Sequence, residues 1–161
     1  DRVRMGCLAQ TVNILAPIMT EPDGPAWRQT IYHPFALTSK HGRGVSLQVA
    51  QHGPKLKTAN AGEIDSLIAA AVWNEAQAET NLFLVNRDPL QPIEVTADVA
   101  ATDATCVLEA LSMWEHDATM VNSAAAPDAV MAKALADVEL TDGRLTAVLP
   151  AMSWNLIRIK A

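Results

Sequence analysis

Leu140-Thr-Asp-Gly-Arg-Leu-Thr-Ala-Val-Leu149 (LTDGRLTAVL) carries a strong hairpin signal. Glycine tolerates the positive φ that a tight turn requires, so Asp142-Gly143 predicts a reversal. Ala136–Leu140 lies before the turn and Leu145–Leu149 after it, and both read as strands. The same texture extends outward in both directions. Trp154–Ile159 follows, and Thr105–Leu111, Ile93–Ala97, Thr80–Asn86, Leu67–Trp73 and Val45–Val49 precede. Short apolar or alternating runs, separated by Gly, Pro, Asn and Asp, predict a β-sandwich from Arg43 onward. Ala124–Ala134 is Ala-rich, a composition that suits a helical turn.

Upstream of Arg43 the pattern differs. Arg2–Met19 fits strand alternation through Val3, Met5, Cys7 and Ala9, and also a helical stripe through Val3, Cys7, Ile14 and Ile18. Gly6 and Pro17 favour a buried strand followed by irregular chain. Glu21-Pro-Asp-Gly-Pro25 is a dense turn signal. Gln29–His41 reads as a helix with Gly42 at its C-terminal cap. Pro34 is tolerated only near a helix start, so the first turn is expected to begin late, near His33, or to kink. Structure is under way from residue 1, which reads as a chain cut from a longer one.

The chain has 161 residues, half of them hydrophobic, which is enough for one domain with a core. The net charge of −6 and the scattered Lys and Arg residues argue against nucleic acid as a partner. No run approaches the ~18 apolar residues of a membrane span. Cys7 and Cys106 stand alone and read as buried free thiols of a reducing compartment. His33, His41, His52 and His116 are isolated from one another, so no zinc site is expected. There is no phosphate-binding glycine loop and no nucleophile elbow. Asn74-Glu75 follows an apolar strand and reads as a turn with an exposed carboxylate, not as a catalytic acid.

Aromatic residues are only 4% of the chain, yet Trp27, Tyr32 and Phe35 fall within Ala26–Phe35 (AWRQTIYHPF). Packing accounts for Ile31, Tyr32 and Phe35. Trp27 and Arg28 are equally open to packing and to a functional surface. Of the remaining tryptophans, Trp73 and Trp154 sit among apolar strand residues and are expected in the core. Trp114 has polar neighbours and is the one expected to be exposed, where a ring could stack on a sugar.

Gly6-Cys-Leu-Ala-Gln-Thr-Val-Asn13, Ala16-Pro-Ile-Met-Thr20 and Gly24–Phe35, together with Asp142–Pro150 and Ser153–Arg158, resemble the α-L-arabinofuranosidases of glycoside hydrolase family 51. Trp73-Asn-Glu75 and Leu84-Val-Asn-Arg87 fall between them in the same order. The resemblance implies a mainly β chain, in which a jelly-roll-like C-terminal β-sandwich is preceded by the last strand and helix of an incomplete (β/α)8 barrel. It places the end of the barrel at residues 1–42, with Arg4–Asn13 as its eighth strand, and the sandwich at 43–161. His33 departs from the aromatic expected at its position.

The implied reaction is retaining hydrolysis of terminal arabinofuranose from arabinoxylan- or arabinan-derived oligosaccharides. Its two glutamates would lie upstream of Asp1, so no catalytic residue is assigned here and this chain alone is expected to be inactive. Gln10 matches the glutamine that hydrogen-bonds arabinofuranose at the C-terminal end of the last barrel strand, the face where barrel active sites lie. An amide offers a donor and an acceptor without adding charge near two carboxylates. Trp27 and Arg28 would fall in the following loop, at the rim of the site.

The resemblance implies no metal and no cofactor, a cytoplasmic enzyme and a homo-oligomer, commonly a hexamer. The missing barrel portion would be the chain's nearest partner. Without it, apolar surface in Val3–Met19 is expected to be uncovered and to cause aggregation. The alternative is a non-catalytic carbohydrate-binding or oligomerisation sandwich.

Overall fold

The computed structural model describes residues 5–161. Its first elements are a small hairpin, β1 (Ile18–Thr20) and β2 (Ala26–Arg28), and helix α1 (Tyr32–His41). The strands that follow are β3 (Val45–Leu47), β4 (Lys55–Thr58), β5 (Gly62–Asp65), β6 (Leu67–Asn74), β7 (Glu79–Asn86) and β8 (Ile93–Asp98). After a 3-10 turn at Ala100–Thr102 come β9 (Cys106–Met113), β10 (Lys133–Ala134), β11 (Glu139–Thr141), β12 (Arg144–Leu149) and β13 (Ser153–Lys160). One sheet has the order β10-β9-β13-β7-β6-β3 and the other β11-β12-β8, with every neighbouring pair antiparallel. β4 and β5 pair only with each other. The chain is mainly β, as expected.

Side-chain alternation explains how the sheets meet. Leu82 and Leu84 of β7 and Ile157 and Ile159 of β13 share a face, because Leu82 stands opposite Ile157. They pack with Leu145, Ala147 and Leu149 from β12. Leu149, Ile157 and Ile159 are completely buried. Each such side chain contributes about 1.5–3 kcal/mol of apolar burial. The Asp142-Gly143 turn forms as predicted, with φ values of 49° and 73°.

The six-stranded sheet is apolar on its second face as well. Phe83 and Leu156 are buried there, and the Phe83 and Trp154 rings lie 6.3 Å apart. Trp154 is therefore half-buried on the face opposite the sandwich core, which corrects its expected core position. The cause is register: Trp154 stands opposite Val85, one residue out of phase with inward Leu84. Trp73, also half-buried, pairs with Thr80 on the inner side.

α1 starts at Tyr32, so Pro34 falls in its first turn, where no intrahelical donor is needed. Gly42 closes it by donating its backbone N–H to the Thr38 carbonyl at 2.7 Å. The helix docks through its end: His41 is buried, and Asn81 on β7 donates its side-chain amide to the His41 carbonyl at 3.0 Å. Beside Asn81 lies an ionic group in which Arg158 reaches Glu79 at 2.8 Å and Glu109 at 3.0 Å.

Several expectations are corrected. Arg4, the first residue of the expected strand Arg4–Asn13, lies outside the described residues, as does Val3. Residues 5–11 form no strand, and Val12 makes a single parallel bridge to Ile18. A strand needs a neighbour to complete its hydrogen bonds, and among the described residues none pairs with 5–11. Ala124–Ala134 contains turns and the two-residue β10 but no helix. Ile31 and Phe35, expected to pack, are 48% and 42% exposed, because none of the described residues covers them fully. Cys7 and Cys106 are free, as expected, but both are exposed.

Candidate functional site

Gln10 lies in the unpaired segment before β1, exposed and in the left-handed region with φ of 64°. Asn13 and Ile14 follow in the same region, both at φ of 61°. A β-branched residue is strained there, and strain of this kind concentrates at functional loops. The turn is held by Asn13, whose side chain accepts from the Thr20 N–H at 2.7 Å and donates to Thr20 Oγ1 at 2.9 Å. Backbone bonds from Asn13 N–H to the Ile18 carbonyl (2.8 Å) and from Gln29 N–H to the Pro17 carbonyl (2.7 Å) complete it.

Trp27 and Arg28 stand in β2, not in an irregular loop. The Glu21–Pro25 turn folds β2 back on β1, pairing Met19 with Trp27 and Ile18 with Arg28. Isolated turn residues gave no sign of so short a ladder. Successive strand residues point to opposite faces, so the two side chains diverge. Arg28 is exposed, with its guanidinium 5.1 Å from the Tyr32 ring centre, a cation–π arrangement. Trp27 is half-buried and its indole Nε1–H is buried without a partner. His33, on the first turn of α1, has its pKa lowered by burial and then by Arg28, against an upward pull from Asp128. The structure thus gathers Trp27, Arg28 and His33 around the hairpin and the start of α1. Gln10 is joined to the hairpin through the Val12–Ile18 bridge.

The described residues hold no matched pair of catalytic carboxylates in a cleft. A cleft of about 930 Å³ lies between the sheets beside β8 and is lined by Leu67, Ala69, Leu82, Leu84, Val95 and Leu145 among others. Gln10, Trp27 and Arg28 do not line it. Glu94 and Asp98 on β8 alternate with inward Ile93, Val95 and Ala97, so their carboxylates face away from the core. Retaining glycoside hydrolysis needs two carboxyl groups about 5 Å apart across the sugar. Glu75 is exposed in the β6–β7 turn, as expected. Trp114 is half-buried, not exposed, with the His116 ring edge-on against it at 4.8 Å.

Asparagines on the sandwich have structural roles that no sequence motif marks. Asn86 donates to the Gln91 and Pro150 carbonyls at 2.9 Å each and accepts from the Asp88 N–H at 2.9 Å. Arg87 donates Nε to the Asp65 carbonyl at 2.9 Å. Leu84-Val-Asn-Arg87 is therefore a set of loop fasteners at the end of β7. The available signal was asparagine inside strong strand sequence, where it is a poor strand former.

The chain matches the family model described as the alpha-L-arabinofuranosidase C-terminal domain over residues 1–153. It is 43% identical over 98% of its length to the intracellular exo-α-(1→5)-L-arabinofuranosidase of Streptomyces lividans, of which it spans 24%. It is 38% identical over 99% of its length to the protein of that name from Halalkalibacterium halodurans, spanning 31%. Among solved structures, a family 51 α-L-arabinofuranosidase from Bifidobacterium longum superposes with a TM-score of 0.92 at 37% identity, over 98% of this chain and 31% of that one. The chain thus spans about a quarter to a third of the length of these relatives.

Proposed function

This chain belongs to the alpha-L-arabinofuranosidase C-terminal domain family, and on that premise we propose that it is the C-terminal part of a retaining, exo-acting α-L-arabinofuranosidase. The enzyme releases terminal arabinofuranose from arabinan- and arabinoxylan-derived oligosaccharides. The names of the relatives from S. lividans and H. halodurans support α-(1→5) linkages and an intracellular enzyme. No helix among the described residues is long and apolar enough to cross a membrane.

The work divides between two regions. Residues 1–42 complete the catalytic barrel, and 43–161 form the sandwich that buttresses it. The acid/base and nucleophilic carboxylates come from the upstream barrel. Gln10 contributes a neutral amide to the innermost sugar, donating to one hydroxyl and accepting from another. Trp27 and Arg28 form part of the rim. The assembled enzyme is a homo-oligomer, with a hexamer as the proposed state.

One observation carries this reading. Met5, Leu8, Val12, Ile14 and Leu15 expose between 41% and 80% of their surface, with Ile31 and Phe35 exposed close behind. Such a run of apolar surface suits a seam to the rest of a barrel. The test compares this chain alone with the full-length enzyme that carries it, using an α-(1→5)-arabino-oligosaccharide. Arabinose is expected as the only product of the full-length enzyme, initially as the α-anomer by NMR, with none from the chain alone. Hydrolysis by the chain alone, or internal cleavage by the full-length enzyme, would overturn the reading.

A further inference from the structure

The connection between β9 and β10 runs from Trp114 to Ala132 without regular secondary structure. Connections beyond about 12–15 residues are uncommon in compact domains and usually serve a function. This one is closed on itself by Asn122, which is 3% exposed. Its Oδ1 accepts from the Val130 N–H at 2.7 Å and its Nδ2 donates to the Val130 carbonyl at 2.9 Å. Buried Val130 seats the far side of the ring. The second Nδ2 hydrogen goes elsewhere, to the Arg28 carbonyl at 3.0 Å. Both amide hydrogens are thereby used, one inside the loop and one on the hairpin.

The acceptor is informative. Among the described residues β2 has a strand partner on one side only, β1. Asn122 satisfies a carbonyl on its other side and so fixes the strand from the sandwich. Asp128, on the same loop, acts electrostatically on His33 at the start of α1. The long loop therefore touches the hairpin through Asn122, and the charge of its Asp128 is felt at the start of the helix.

We propose that Asn122 is a positioning residue of the glycosidase: by holding the Arg28 carbonyl, it sets the placement of the Trp27–Arg28 strand against substrate. The proposal rests on the reading of Trp27 and Arg28 as part of the rim. Asn122 touches no sugar itself. Its loss lets β2 shift, which weakens sugar binding and leaves the upstream carboxylates and their chemistry in place.

The test is steady-state kinetics of the full-length enzyme on an α-(1→5)-arabino-oligosaccharide, for Asn122→Ala and the near-isosteric Asn122→Asp, with Trp27→Ala and Arg28→Ala beside them. Aspartate keeps the shape but offers no hydrogen to either carbonyl. Both Asn122 variants are expected to raise KM about tenfold, the equivalent of one well-made hydrogen bond, with kcat within about twofold. At least one of the Trp27 and Arg28 variants is expected to raise KM as well. If Asn122→Ala does not fold, Asn122→Asp carries the test. A lowered melting temperature with unchanged KM in the Asn122 variants, while Trp27→Ala or Arg28→Ala raises it, would refute positioning and leave the rim standing. Unchanged KM in all four would remove the rim and the proposal together.

Discussion

The side-chain amide of Asn81 donates to the backbone carbonyl of His41 at 3.0 Å, joining the last turn of α1 to the centre of the six-stranded sheet. Asn81 is 1% exposed, so water cannot replace it as a donor. Asn81→Ala should cost about 1–3 kcal/mol by leaving a buried carbonyl unpaired. Hydrogen exchange should show the loss concentrated in residues 32–41, with little change in β7 and β13. Uniform loss across the sandwich would show that the bond supports the sheet and not the docked helix.

The same junction is expected to lose stability in acid. Burial, then Arg158 and Lys40, hold the His41 pKa below the ordinary histidine value, while Glu109 and Glu79 pull it upward. Folding therefore favours the neutral imidazole. The resulting stability is complete above the unfolded pKa of about 6.5 and is lost as pH falls through the lower folded value. His33 acts with the same sign, its lowering led by burial. Denaturant midpoints at pH 7.5 and 5.5 should fall toward acid in the parent chain and fall less in His41→Gln. An equal fall in both would remove His41 from the effect.

Gly44 has φ of 134°, and a Cβ built there would lie 2.0 Å from the Trp73 carbonyl oxygen. Val45 pairs with Trp73, so the clash falls at the first rung of β3 on β6. Gly44→Ala should destabilise by about 2–4 kcal/mol through backbone strain and overpacking. A change in melting temperature of less than about 2 °C would contradict the close approach.

Asn86 fastens the β7–β8 loop to the Pro150 turn and is 1% exposed. Asn86→Ala strands several backbone groups at once and should cost on the order of 3 kcal/mol. Asn86→Asp should cost nearly as much, because a carboxylate keeps the Asp88 N–H bond but repels the carbonyls. Urea unfolding measures both, and near-parental stability of the aspartate variant would show that the donor bonds contribute little.

Most of the sandwich was legible because its strands carry their own signals. Apolar alternation marks β8, a nearly continuous apolar run marks β6, and Asp142-Gly143 fixes the hairpin register. β4 and β5 were missed: Lys55-Leu-Lys-Thr58 pairs with Gly62-Glu-Ile-Asp65, segments too short and polar to stand out. The β1–β2 hairpin was hidden behind two prolines and a turn. Trp154 could not be assigned a face, since a sheet apolar on both sides shows no alternation. Gln10 gave no physical signal beyond its residue type, and family resemblance alone singled it out. Asn122 was unreadable because its partner, Arg28, lies 94 positions away.

The most direct measurement is kcat/KM of Gln10→Ala in the full-length enzyme on an arabinofuranoside, read beside its melting temperature. Gln10 is exposed in this chain, so the fold should not depend on it. A fall in kcat/KM of about ten- to a hundredfold is expected, the loss of one or two hydrogen bonds to the sugar, with the melting temperature unchanged. Activity within about twofold of the parent would contradict the placement of Gln10 in the sugar pocket, and with it the reading of residues 1–42 as the closing edge of a catalytic barrel.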